Sequence, residues 1–82
     1  MSRADWELVK VDHERKIVFI KDLDQGNVSV TNDAEDVTQE VMHDYPDDYR
    51  LFYQDSMGDW DELVHNNKGV FTGFKFGNGM RP

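Results

Sequence analysis

Apolar and polar residues alternate in several short stretches along the chain, which is the pattern of β-strands. Trp6 to Val11 and Lys16 to Asp22 are separated by four polar residues and predict a β-hairpin. Ile17 to Ile20 are apolar at four successive positions, so both faces of this strand should be buried inside a sheet. After a turn that contains glycine, Val28 to Thr31 predicts a short third strand.

A helix is predicted from about Asp33 to Tyr45. Asn32, followed three residues later by Glu35, has the pattern of a capping box. Apolar residues then recur at helical spacing, at Ala34, Val37, Val41 and Tyr45. Pro46 should end the helix, because proline disfavours helical geometry in the preceding residue and cannot donate a backbone hydrogen bond.

The C-terminal half predicts further strands. Tyr49 to Gln54 is strand-like, with Tyr49, Leu51 and Tyr53 on one face. Trp60 to His65 fits either a strand or a helical turn, and we favour a strand or a short irregular turn. Val70 to Phe76 follows a turn signal and predicts the last strand, whereas residues 77–82 predict a loose tail.

Together these elements predict one α+β domain over residues 1–82. We expect an antiparallel sheet of four to five strands packed by one main helix, in the order β-β-β-α-β-(β)-β. The chain has no cysteine, so it has no disulfide and no thiolate metal site. Its longest apolar run is far too short for a membrane span and its N-terminus lacks a secretory signal. We therefore expect a cytoplasmic protein without membrane association.

Negative charge is concentrated in the middle of the chain. Nine acidic residues and no lysine or arginine lie between Asp22 and Tyr49, whereas the whole chain holds 17 acids and nine bases. The net charge of −8 therefore belongs almost entirely to this segment. On the predicted helix, Asp36, Glu40 and Asp44 are four residues apart and should form one outer row of carboxylates.

This charge has two interpretations. One is a solvated face that keeps a small protein in solution; the other is a surface for a basic partner protein, such as a nucleic-acid-binding protein whose phosphate ligands the carboxylates imitate. Direct binding of nucleic acid is disfavoured because an acidic domain repels phosphates. The candidate partner-binding residues are Asp33, Glu35, Asp36, Glu40, Asp44, Asp47 and Asp48.

Candidate catalytic and metal-binding chemistry is weak. The run from Asp22 to Gly26 has only part of a calcium-loop pattern, and the acids near Gly58 lack ligand spacing, so we predict no metal. The three histidines share no ligand motif, and no serine lies in a nucleophile elbow. We expect a protein that is not an enzyme and has no cofactor.

Aromatic residues provide the alternative to an electrostatic partner. Those in the C-terminal half are more than one helix can cover: Tyr49, Phe52, Tyr53, Trp60, Phe71, Phe74 and Phe76. Most should form the core, and a remainder on the sheet face away from the helix would suit a homodimer. The alternative function is therefore a self-associating structural or accessory module.

In size, acidity, absence of cysteine and absence of catalytic motifs, the chain resembles the small accessory or early proteins of large tailed bacteriophages. The resemblance is compositional and carries no motif. Several proteins of that class inhibit host nucleic-acid-binding or defence proteins, some through DNA mimicry. The resemblance implies an inhibitor that engages a basic protein, without assigning a role to any residue.

Overall fold

Five strands and one helix are formed by the residues that the computed structural model describes, which are 6–23, 31–55, 57–66, 69–77 and 81–82. The side chains of Asp22 and of residues 31–33 lie outside this description. The elements are β1 (Trp6–Asp12), β2 (Ile17–Asp22), α1 (Thr31–Met42), β3 (Arg50–Gln54), β4 (Trp60–His65) and β5 (Phe71–Lys75). The fold is α+β, as the sequence predicts.

The sheet is mixed, so the prediction of an antiparallel sheet is wrong in one respect. The strands lie in the order β1-β2-β3-β4-β5, and β2 pairs in parallel with β3 while the other pairs are antiparallel. The reason is that α1 carries the chain back across the sheet between β2 and β3. The predicted third strand, Val28 to Thr31, falls on residues outside the described ranges except for Thr31, which begins the helix.

The helix begins and ends earlier than predicted. Asn32 is its second residue and therefore not its cap. Its end tightens before Pro46 is reached: His43 N–H donates to the Gln39 carbonyl, but Asp44 and Tyr45 donate to carbonyls only three residues back, at 3.3 and 3.4 Å. Such tighter bonds are common in the last turn of a helix.

The strands of the C-terminal half match their predictions closely. β4 is a strand, as favoured, and its Leu63 lies opposite Leu51 of β3. Leu51 and Tyr53 are buried on the helix side, and Tyr49 packs against them from just before β3. Alternation therefore assigns the faces of β3 correctly.

The main core lies between α1 and one face of the sheet. Helix residues Ala34, Val37 and Val41 are buried there with Val18 and Ile20 of β2. Their spacing of three or four residues is what brings them onto one side of the helix. Burial of this apolar surface stabilises the fold by about 25 cal/mol for each Å² removed from water.

Among the described residues, no helix covers the opposite face of the sheet, and side chains cover it instead. Ile17, Phe19 and Phe52 have no exposed surface there, and Trp60 packs edge-on against Phe19 at 5.4 Å. The guanidinium of Arg50 lies 5.1 Å above the Phe52 ring and also binds Glu62 through two hydrogen bonds of 2.8 and 3.0 Å. Phe52 is therefore not part of an exposed aromatic surface.

The turn between β1 and β2 is held by Asp12. Its Oδ1 accepts the backbone N–H groups of Glu14 and Arg15, and its Oδ2 lies 2.6 Å from Nε of Arg15. The backbone hydrogen bond from Arg15, followed by the one from its side chain, lowers the pKa of Asp12 to about 2. The guanidinium of Arg15 also lies 5.7 Å above the Phe19 ring, so this turn helps to cover the far face.

We predict that Phe19→Ala lowers the free energy of unfolding by about 3–5 kcal/mol, because it opens a cavity in a fully buried cluster. The matched control is Phe76→Ala, which removes the same atoms from a side chain that is 66% exposed. Urea denaturation followed by circular dichroism measures both. Equal effects of the two substitutions would show that the far-face cluster is not part of the core.

Candidate functional site

The acidic segment forms the outer side of α1 and the loop that follows it. Glu35, Gln39 and Glu40 are exposed on the helix, and Asp44 and Asp47 are exposed beyond its end. The last helical turn contains no basic residue. The same periodicity that buries the apolar side of the helix therefore turns these carboxylates toward solvent.

The predicted single row of three carboxylates is wrong at its far end. Because α1 ends at Met42, Asp44 lies in a turn, where its Oδ1 is 3.2 Å from Nδ1 of His43. Glu40 lies on the flank of the helix toward β1, where its Oε1 accepts a 3.1 Å hydrogen bond from the Trp6 indole. The backbone of Asp33 belongs to α1, and its side chain lies outside the described part of the chain.

Asp48 forms an ion pair with a basic residue that the sequence analysis did not predict as its partner. Lys16 Nζ lies 2.6 Å from its Oδ2, although the two residues are far apart in the chain. The side-chain hydrogen bond raises the pKa of Lys16 and lowers that of Asp48. The parallel pairing explains this contact, because it places the residue before β2 beside the loop that enters β3; Arg50 N–H donates to the Lys16 carbonyl at 2.8 Å.

A groove of about 310 Å³ lies between the other flank of α1 and the start of β5. It is lined by Glu35, Asp36, Gln39, Gly69, Val70 and Phe71. Sequence reasoning identified the two acids but not the groove, because its walls come from segments about 30 residues apart. The strand side of the groove was indicated in the sequence by the turn predicted before β5.

Hydrogen bonds to Asn66 hold the residues on the strand side of this groove. Gly69 adopts a φ of 74°, in the left-handed region that favours glycine. Its N–H donates to the Asn66 carbonyl at 3.0 Å, and Asn66 Oδ1 accepts the N–H of Val70 at 3.1 Å. These bonds fix Val70 and Phe71 opposite the helix, so the groove is preformed.

A second group of acids lies around the turn between β3 and β4. Asp61 is only 3% exposed, and its Oδ1 accepts the N–H of Gly77 at 2.9 Å. Burial raises the pKa of Asp61, and its contact with the Asp55 carboxyl adds to the increase. Asp55 Oδ1 in turn accepts the N–H groups of Met57 and Asp59. These carboxylates therefore organise the turn and the chain that leaves β5.

Within the described ranges, no three histidine, aspartate or glutamate side chains are arranged to hold a metal ion. The run from Asp22 to Gly26, with its partial calcium-loop pattern, lies largely outside those ranges. Two histidines contact Tyr49: His13 Nδ1 lies 2.9 Å from its hydroxyl, and His65 Nε2 lies 2.7 Å from its carbonyl oxygen. These contacts join the turn after β1, the residue before β3 and the end of β4 at one end of the sheet.

Comparison of the chain with protein-family models, curated proteins and solved structures gave no match. Among the described residues, no helix has both the length and the apolar character needed to cross a bilayer.

We predict that Asp61→Asn gains stability relative to the native chain as pH rises from about 4 to about 7. The folded protein holds the Asp61 proton more tightly than the unfolded chain does, so this carboxyl contributes most below the unfolded pKa of about 3.8, and its contribution is lost as pH rises through the raised folded pKa. Asparagine keeps an acceptor for Gly77 N–H and carries no charge. Urea unfolding at about pH 4 and about pH 7 gives the difference in the free energy of unfolding between the variant and the native chain, and this difference should shift in favour of the variant as pH rises.

The control for this experiment is Asp59→Asn, which removes one carboxylate at an exposed position of the same turn. The shift between about pH 4 and about pH 7 should be larger for Asp61→Asn than for this control. Equal shifts in the two variants would contradict the assignment.

Proposed function

We propose that this protein is a small acidic interaction module that binds a basic surface of another protein through α1 and the loop that follows it. One observation carries the proposal: from Thr31 to Tyr49 the chain has no lysine or arginine, while Glu35, Glu40, Asp44 and Asp47 are exposed. Asp33, Asp36 and Asp48 belong to the same segment. Asp48, which is bound to Lys16, lies at its border.

The chemistry of the surface selects the class of partner. Concentrated carboxylates attract lysine and arginine side chains and accelerate the encounter with a positively charged protein. Carboxylates one helical turn apart are about 6 Å from each other, and phosphates along a nucleic-acid strand also repeat at several ångströms. We therefore favour a nucleic-acid-binding protein as the partner, with this module as a competitor of its ligand.

Self-association is the second candidate function, and one observation favours it. Phe76 and Val70 are apolar and exposed at the two ends of β5. A homodimer built on this surface would be held by burial of apolar area and would be insensitive to salt. Sedimentation at low and high salt separates the candidates, because the acidic interaction module is expected to be a monomer.

We predict that the triple variant Glu35→Gln, Glu40→Gln and Asp44→Asn weakens binding of the partner about tenfold or more, because three exposed charges are lost from the contact surface. Candidate partners are those captured from a lysate at low salt and released at high salt. The affinity of each purified candidate is then measured by calorimetry for the native chain and the variant.

The matched control neutralises three exposed acids elsewhere, Glu7→Gln, Glu14→Gln and Asp59→Asn, and so changes the net charge by the same amount. This control should bind nearly as well as the native protein. If both triple variants lost affinity equally, net charge alone would explain the binding and the assignment to α1 would fail. If neither lost affinity, the electrostatic proposal itself would be refuted.

A further inference from the structure

The two edges of the sheet differ in how they are protected. The edge strand β1 has charged residues at Glu7, Lys10 and Asp12 and a bulge between Leu8 and Lys10. Charges and bulges are the usual means by which an edge strand avoids pairing with another chain. The other edge, β5, also has an irregularity, between the pairs Val64–Gly73 and His65–Phe71, but it is regular from Gly73 to Lys75, carries one charged residue and pairs only with β4 among the described residues.

Two features make β5 accessible. Gly73 lies in the middle of the strand, and a Cβ atom added there would meet no atom within 4 Å. The one charged residue of the strand, Lys75, lies opposite Glu62 of β4. The central residue of β5, Gly73, therefore has no bulky or charged side chain that would hinder the approach of a second strand to the backbone.

The helix side of β5 is apolar toward its C-terminal end. Phe74 packs against the main core, and Phe76 stacks on it with ring centroids 5.5 Å apart and planes inclined by 16°. Phe76 remains 66% exposed in this position. An exposed aromatic ring that stacks on a partly buried one is a suitable contact for the apolar side chain of an added strand.

The groove lies at the opposite end of the same side. Glu35, Asp36 and Gln39 border it from α1, and Phe71 borders it from β5. Strands rise about 3.3 Å per residue, so the distance from Phe71 to Phe76 is about 16 Å and corresponds to three side chains on one face of an added strand. Two of them would lie against Phe74 and Phe76, and the third would enter the acidic groove.

We propose that β5 is the docking strand for an extended segment of the basic partner, which adds to the sheet and places a lysine or arginine side chain in the groove beside Glu35. This inference rests on the proposed function and specifies how the partner binds. Charge complementarity selects the occupant, because the groove wall is acidic and a second copy of this chain would bring another net charge of −8. Main-chain hydrogen bonds supply affinity, and the groove supplies specificity.

The test uses blocked synthetic heptapeptides in which threonine alternates with valine, valine and arginine, made in that order and in the reverse order because the added strand can run in either direction. We expect one of them to bind, with slower hydrogen exchange at β5 amides and with shifted NMR signals from Phe71 to Phe76. Replacing arginine by glutamate should abolish binding. Two N-methylated peptides are then compared, each methylated at a different set of alternate residues. Binding should be lost only when the methylated N–H groups are those that face β5.

The matched protein variants are Glu35→Lys, beside the groove, and Glu14→Lys, which makes the same change at an exposed glutamate in the turn between β1 and β2. Glu35→Lys should weaken the arginine peptide at least tenfold, and Glu14→Lys should weaken it less than threefold. Urea denaturation of both variants establishes that they are folded.

The remaining outcomes separate the two proposals. Equal weakening by both variants, without protection of β5, would overturn the docking strand, whereas the acidic interaction module would still stand if the triple variant of α1 lost more affinity for the partner than its control. A dimer of the native chain in sedimentation, with β5 protected in the absence of peptide, would assign the edge to a second copy. Absence of binding by every peptide, while the protein still releases a basic partner at high salt, would overturn the inference alone.

Discussion

Burial of β2 on both of its faces is the constraint on which the rest of the structure depends. Ile17, Val18, Phe19 and Ile20 have no exposed surface, so each side of the sheet needs its own cover. The helix supplies one cover by crossing from β2 to β3, which makes those strands parallel. Aromatic and arginine side chains supply the other, with Trp60 against Phe19 and Arg50 above Phe52. In the part of the chain that the structure describes, one helix together with these side chains thus covers the sheet on both of its faces.

The same arrangement separates the charges. Three bases are engaged in ion pairs near the end of the sheet where β2 and β3 begin: Arg15 with Asp12, Lys16 with Asp48 and Arg50 with Glu62. Two of these bases also cover aromatic rings of the far face. The outer side of α1, in contrast, carries acids without a basic residue in its own segment. Basic side chains and their acidic partners therefore stabilise the sheet, while Glu35 and Glu40 of α1 face outward, and the proposed function depends on this division.

Local sequence patterns were sufficient for the elements and insufficient for their arrangement. Alternation located the hairpin and β4, and the helical spacing of Val37 and Val41 located α1, because these signals come from residues close in the chain. The parallel pair, the contact between Lys16 and Asp48, and the groove beside Phe71 depend on which segments meet. Asp44 left the predicted row because the last helical turn tightens before Pro46, a detail that periodicity does not show.

Hydrogen exchange on the complex with a salt-released basic partner tests the central claim most directly, because it maps contact without any substitution. The account predicts slower exchange in α1 and in the segment from Gly69 to Gly77, with β1 unchanged. Protection confined to β1 or to the turn between β3 and β4, with exchange in α1 and β5 unaltered, would contradict it.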